Sequence, residues 1–150
     1  MRNQAAFRSA RILLSDVNFG CGSSRENAVW ALYSFGIHCV IALSFRGIFY
    51  QNCFKNRPLP IVLRPAKNAR LARLVECAPA VLTVTVDLAH HCIVIPGEEP
   101  ISFDIAQRKQ RILLDGLDDI TEKQNHGQRI DEFRQAQRTA MPWLYQTTEI

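Results

Sequence analysis

The stretch Asn18-Phe19-Gly20-Cys21-Gly22-Ser23-Ser24-Arg25-Glu26-Asn27-Ala28 decides how the rest of the sequence is read. Before it, Arg11-Ile12-Leu13-Leu14 is a short apolar run of the kind that forms a buried strand. After it, Ala28, Ala31, Leu32 and Phe35 recur at i, i+3, i+4 and i+7, which places them on one helical face. Gly36 is well placed to end that helix. A strand therefore enters the loop and a helix leaves it. Gly20 and Gly22 let the chain turn tightly and let a ligand approach the backbone. The first turn of the helix presents unpaired N–H groups and the positive end of the helix dipole. Ser23 and Ser24 add hydroxyl donors, and Arg25 a planar fork suited to carboxylate or phosphate. Together these residues describe a pocket for an anion. They also fit a plain capping box, with Ser23 at N-cap and Glu26 at N3. The local pattern leaves both readings open. The spacing is not that of a phosphate-binding P-loop, and Arg25 stands where the third glycine of G-x-G-x-x-G would fall.

Working outward, His38 to Leu43 reads as a second buried strand. Ser44 is placed to cap a second helix in which Phe45, Ile48, Phe49 and Asn52 share a stripe. Pro58 and Pro60 break the pattern. Ala66 to Cys77 predicts a helix with Leu71, Leu74 and Val75 inward. Its basic residues Arg64, Lys67, Arg70 and Arg73 form either a solvated face or a docking face for an acidic partner. Ala80 to Asp87 alternates as a half-buried strand, with Leu82, Val84 and Val86 on one side. His91 to Ile95 and Ile101 to Ile105 predict two more strands around the turn Pro96-Gly97-Glu98-Glu99. Helices are predicted over Ala106 to Asp115, closed by Gly116, and around Ile130 to Arg138, stopped by Pro142. The order strand, loop, helix, strand, helix, followed by alternating strands, describes one α/β domain over 1–150 with a mixed sheet.

The composition is that of an ordinary globular chain: 150 residues, 47% hydrophobic and 21% charged. No apolar run approaches the length of a membrane span, and Met1-Arg2-Asn3-Gln4 leads into no secretory segment, so a soluble, cytoplasmic chain is expected. The five cysteines, at 21, 39, 53, 77 and 92, are odd in number and widely set. They show no C-x-x-C pair and no clustered ligand pattern, so reduced thiols and no metal site on this chain are expected. His90 and His91, adjacent on a predicted strand, point to opposite faces and do not share a metal. Asp118-Asp119 is either a paired carboxylate or a solvated turn. Charge is unevenly spread. Residues 1–75 carry eleven Arg and Lys against Asp16 and Glu26, whereas residues 76–150 carry seven against twelve acids. Such a first half attracts anions if its charges gather into a patch, and not if they spread over the surface.

The loop from Asn18 to Ala28 resembles the hallmark loop of the aconitase-type swivel domain, in the form found in the small-subunit family of 3-isopropylmalate dehydratase (isopropylmalate isomerase). The resemblance continues through Val40-Ile41-Ala42, Ser44-Phe45, Ile48-Phe49, Asn52-Cys53-Phe54-Lys55-Asn56 and Leu59-Pro60-Ile61. It returns at Leu114-Asp115-Gly116-Leu117-Asp118-Asp119-Ile120 and Pro142-Trp143-Leu144. It implies a three-layer β/β/α swivel domain that starts later than the family's usual first strands. It implies a hydro-lyase subunit that isomerises 2-isopropylmalate and 3-isopropylmalate in leucine biosynthesis. No cofactor is expected on this chain; the [4Fe–4S] cluster is expected in a large partner subunit. Carried onto this sequence, Ser23 is the catalytic base, and Gly22, Ser24 and Arg25 bind the dicarboxylate substrate. The isolated chain is expected to be inactive, with self-association possible. Asn27 stands where the family usually has His, Val29 where Pro is common, and Asn56-Arg57-Pro58-Leu59 where Asn-Gly-Leu-Leu is usual. Two other readings belong to different classes. One is a shortened relative that docks without completing the site. The other is a nucleic-acid-binding module using the basic half, which no RNA- or DNA-binding motif supports.

Overall fold

The computed structural model describes residues 7–22, 25–78, 82–116 and 127–145. Two compact units separate, residues 1–116 and 117–150. In the first, a parallel sheet is built from β1 (Ile12–Leu14), β2 (Cys39–Ala42) and β3 (Leu59–Val62), in that order. Helices α1 (Asn27–Ser34) and α2 (Gly47–Lys55) connect them, and α3 (Pro65–Cys77) follows with Pro65 in its first turn. An antiparallel sheet then forms from β4 (Thr85–Asp87), β5 (Cys92–Val94) and β6 (Ile101–Ser102). It is followed by α4 (Gln107–Asp115), which Gly116 closes in the left-handed conformation. The parallel and antiparallel pairings expected of one mixed sheet are thus divided between two sheets.

The main core lies between those sheets. Cys39 and Ile41 of β2, with Leu59, Ile61 and Leu63, meet Ile93, Ile95, Ile101 and Phe103 from the antiparallel side. Leu71 of α3 completes that core, with Leu74 and Val75 packed against it as the helical spacing predicts. Truncating Leu71 to alanine would cost about 2–5 kcal/mol. Val40 and Ala42 point to the opposite face of β2 and are also buried, so β2 is covered on both sides. On the helical side, Val29 of α1 packs with Phe49 and Cys53 of α2, joined by Phe19, Ala28, Leu32 and Phe45. This arrangement is a three-layer stack of two sheets and a helical layer.

Several expectations are corrected. The inward face of α1 is Ala28, Val29 and Leu32, while Ala31 and Phe35 are exposed. The cause is α2, which meets α1 along the Val29 side; Phe35 lies past the last helical residue. Gly36 does end α1: Gly36 N–H donates to Tyr33 O (2.8 Å) and Ile37 N–H to Leu32 O (3.0 Å), a Schellman motif. Ile48 is exposed, and the buried stripe of α2 is Phe49, Cys53 and Phe54. β3 forms despite Pro58 and Pro60. Leu59 and Leu63 N–H donate to His38 O and Ala42 O, so the nitrogen of Pro60, out of phase with both, faces away from β2. A proline on an edge strand removes no ladder bond there.

Lys67 and Arg70 do not form a free basic face. Lys67 Nζ donates to Ser102 O (2.7 Å) and Ser102 Oγ (2.8 Å), and Arg70 pairs with Glu98 at 2.5 Å. Both tie α3 to the antiparallel sheet. Of the strand expected over Ala80–Asp87, the described residues 82–87 form strand at β4, and Leu82, Val84 and Val86 do face the core. His90 and His91 lie in the β4–β5 turn rather than on a strand, and His91 has φ 53°. In the second unit, α5 (Gly127–Ala140) is followed by a 3₁₀ turn at Pro142–Tyr145. Asp118 and Asp119 lie outside the described residues.

Candidate active-site loop

In parallel sheets with helical crossovers, ligand sites form outside the carboxyl ends of the strands. The β1–α1 loop leaves the sheet at that end, and its first half is fixed by neighbours on every side. Ser15 N–H donates to Ile41 O (2.8 Å), and Asn68 Nδ2 of α3 donates to Ser15 O (3.2 Å). Asn18 N–H donates to Ser44 Oγ (2.7 Å), Phe19 N–H to Ser44 O (2.9 Å), and Arg46 N–H to Phe19 O (2.9 Å). The Phe19 ring stands edge-on to Phe45 and Phe49, with centroids 6.0 and 5.3 Å apart. Ser44, expected to cap α2, is used instead to hold the loop, and Arg46 occupies the N-cap position of α2.

The two glycines have different reasons for being there. Gly20 has φ +82°, and a Cβ on it would lie 2.6 Å from Phe49 Cβ. Both conformation and space demand glycine. Gly22 has no positive φ, and a Cβ there would meet nothing within 4 Å among the described residues. Nothing among the described residues requires a glycine at 22. The base of the loop is clamped, whereas Cys21, Gly22 and Arg25 are exposed. Ser23 and Ser24 lie outside the described residues.

Where α1 begins, the described residues bear on the capping-box alternative only at Glu26. Glu26 is at the N-cap position rather than N3, and no side-chain cap bond forms there. Its carbonyl accepts Val29 N–H (2.9 Å) and Trp30 N–H (3.2 Å), while its carboxylate turns to α2. Asn56, just past the end of α2, donates from Nδ2 to Glu26 Oε1 (2.7 Å) and to Asn52 O (2.9 Å). Its Oδ1 accepts the Trp30 indole N–H at 2.5 Å. Trp30 and Asn56 also line an open groove with Tyr33, Ser34, Lys55 and Arg57. Sequence reading missed this network. The signal was faint: Glu26 and Trp30 are four apart on one helical face, and Asn56 follows a helix end.

Cys39 and Cys53 belong to different cores, and burial pushes both up to about 12, which keeps them protonated at neutral pH. Cys21 and Cys77 are exposed. Among the described residues, no three His, Cys, Asp or Glu side chains gather into a possible metal site. No described helix is long and apolar enough to cross a membrane.

A β/β/α stack with a glycine-rich, arginine-bearing loop at the carboxyl end of its parallel sheet defines a class, and comparison names it. Residues 1–66 match the family model of the aconitase C-terminal domain. The chain is 43% identical over 143 residues to the 3-isopropylmalate dehydratase small subunit of Neisseria gonorrhoeae, covering 95% of this chain and 67% of that protein. It is 47% identical over 142 residues to that of Rhodospirillum centenum, covering 94% and 69%. Against that of Azorhizobium caulinodans it is 46% identical over 144 residues, covering 95% and 70%. A crystal structure of 3-isopropylmalate dehydratase from Methanocaldococcus jannaschii superposes with a TM-score of 0.56 at 28% identity, covering 81% of this chain and 68% of that one. The chain belongs to the 3-isopropylmalate dehydratase small-subunit family.

Proposed function

We propose that this chain is the swivel half of a two-subunit hydro-lyase that interconverts 2-isopropylmalate and 3-isopropylmalate in leucine biosynthesis. The observation that carries the reading is the β1–α1 loop, clamped at Gly20 and open at Gly22, in a chain 43–47% identical to named small subunits. The relatives match across 94–95% of the chain, which supports treating 1–150 as one functional domain. The partner is a large subunit carrying a [4Fe–4S] cluster, and the place of action is the cytoplasm. That cluster supplies Lewis acidity for the departing hydroxyl when the two subunits are together.

The residues of this chain do the rest. Ser23 takes the proton from the carbon beside a substrate carboxylate, and water is lost across the adjacent carbon–carbon bond. Readdition in the opposite orientation returns that proton and completes the isomerisation. A serine hydroxyl is a poor base unless its alkoxide is stabilised. The start of α1 and the guanidinium of Arg25 supply positive potential at that place. Ser24 and Arg25 hold substrate carboxylates, Arg25 through its two-pronged geometry. Gly22 lets the substrate reach the backbone N–H groups, and the same dipoles steady negative charge as the proton leaves.

The test is to mix the chain, without oxygen, with the large subunit from the same source and 3-isopropylmalate. Ultraviolet absorbance then follows the unsaturated dehydration product. Product that requires both chains is the expected result. A complex visible by size exclusion but yielding no product would leave a docking subunit without catalysis. Neither product nor complex would overturn the reading.

A further inference from the structure

We propose that the groove between α1 and the end of α2 is a docking surface for an acidic face of the large subunit, anchored by Trp30, Tyr33 and Arg57. The inference rests on the reading of this chain as one half of a two-subunit enzyme. Trp30 and Tyr33 lie three residues apart on α1, so they share one side of the helix. Both rings meet solvent, the indole at 52% and the phenol at 37%. Each is nevertheless held in place. The Trp30 indole N–H donates to Asn56 Oδ1 (2.5 Å), and Asn56 Nδ2 is itself fixed on Glu26 Oε1 (2.7 Å) and Asn52 O (2.9 Å). The Tyr33 ring stands edge-on to His38, with centroids 4.9 Å apart. These rings are set before a partner arrives, so little side-chain freedom is left to lose on binding. Large aromatic surface left in water and already ordered marks a place where another protein sits.

The charge of the groove says what kind of protein. Lys55 and Arg57 line it beside the two rings, and no carboxylate does. The carboxylate of Glu26 is engaged by Asn56 and is not among the walls. Among the described residues, neither Lys55 nor Arg57 forms an ion pair or a hydrogen bond. Arg57 adds an independent argument from the backbone. Its φ is 73°, and Pro58 follows it. A left-handed φ is unfavourable for a residue with a side chain, and a following proline restricts that residue further. The family pattern has glycine at this position, the residue that adopts such a φ without penalty. This chain instead keeps an arginine whose guanidinium pairs with nothing among the described residues. Strain held for an unpaired, exposed side chain points to a use outside the chain. Trp, Tyr and Arg are the residue types that dominate binding energy at protein interfaces, and the Arg fork suits a carboxylate. An open groove of this kind fits a protein surface that lays an apolar side chain on the rings and Asp or Glu against Lys55 and Arg57. The two-subunit reading supplies the large subunit as that partner.

The experiment titrates the large subunit from the same source, without oxygen, into the full chain and into the double variant Lys55→Glu/Arg57→Glu, followed by calorimetry. The expected dissociation constant of the variant is at least about tenfold that of wild type. Added salt is expected to weaken the wild-type complex more steeply than the variant's, because the attraction across the groove is screened. Both side chains are exposed, so the unfolding midpoint is expected to stay as in wild type. With saturating large subunit kcat is also expected to be unchanged, which separates docking from chemistry. Should the double variant not fold, Arg57→Gly serves, since it relieves the backbone and removes the guanidinium. Its expected effect is a dissociation constant at least about threefold higher with no fall in the midpoint. Wild-type affinity in these variants, with the wild-type complex formed, would overturn the docking surface. So would self-association of the chain that the variants abolish while large-subunit binding persists, since the groove would then join two copies. No complex with the wild-type chain would overturn the two-subunit reading, and this inference with it.

Discussion

Gly20 and Phe49 are packed so closely that the glycine's missing side chain is where the phenylalanine stands. A Cβ on Gly20 would lie 2.6 Å from Phe49 Cβ and 2.8 Å from Cδ2, at a φ of +82°. Gly20→Ala therefore combines a left-handed backbone with overpacking and is expected to destabilise the chain by about 2–4 kcal/mol. Chemical unfolding measures it, and a change below about 0.5 kcal/mol would show that the loop does not pack on α2 as described.

Gly22→Ala separates fold from function at the next glycine. Among the described residues nothing stands within 4 Å of the added methyl, so stability is expected to change by less than about 0.5 kcal/mol. Turnover in the reconstituted enzyme is expected to fall, because the methyl occupies the space through which substrate meets the backbone. Unchanged kcat/KM would remove Gly22 from the proposed site.

Ser23→Ala is expected to lower kcat by about 100- to 10,000-fold, the range general-base groups contribute. Association with the large subunit, read by size exclusion, is expected to be unaffected. Full activity in this variant would refute the base assignment.

Arg57 adopts φ 73°, a conformation that costs a side-chain-bearing residue about 1–2 kcal/mol over glycine. Glycine gives back part of that gain through a more flexible unfolded chain. Arg57→Gly is expected to stabilise by about 0.5–1 kcal/mol, raising the thermal midpoint. A lower midpoint would mean that the guanidinium, at the edge of the Trp30 groove, contributes more than the strain it causes.

Asp87 accepts the His90 backbone N–H (2.9 Å) and contacts His90 Nδ1 (2.7 Å) across the β4–β5 turn. These bonds hold its carboxyl below the ordinary 3.8. A depressed carboxylate stabilises the fold above its unfolded-state value, and that contribution is lost as pH falls through the folded one. Wild type is therefore expected to be more stable than Asp87→Asn near neutrality, the two converging only below about pH 4. Parallel stability curves across the acid range would show that the turn does not depend on the charge.

Much of this was legible in the sequence, and the reasons differ by element. Leu71, Leu74 and Val75 fall on the buried side of α3 because helical periodicity alone dictates it. Gly36 and Gly116 end helices in the left-handed conformation, where the missing Cβ matters most. β3 was hidden by its prolines, since nothing local says that Pro60 lies on an edge and faces away from β2. The inward face of α1 was misread because Phe35 outweighs Val29 in hydrophobicity, yet it is α2 that chooses the face. The alternative of a capping box at Ser23–Glu26 fails at Glu26 for a similar reason. Its carboxylate is claimed by Asn56, thirty residues away. Long-range polar bonds of that kind leave almost no trace in local pattern.

Pro60 has one more consequence, at the rim of the parallel sheet. With strand order β1-β2-β3, the outer edge of β3 lacks a backbone donor at its second residue, whereas β1 carries no proline between Ile12 and Leu14. The sheet is thus asymmetric in its capacity to grow. A further strand, from this polypeptide or another, finds a complete row of pairing groups only alongside β1, and the opposite rim resists the edge-to-edge stacking that seeds aggregates.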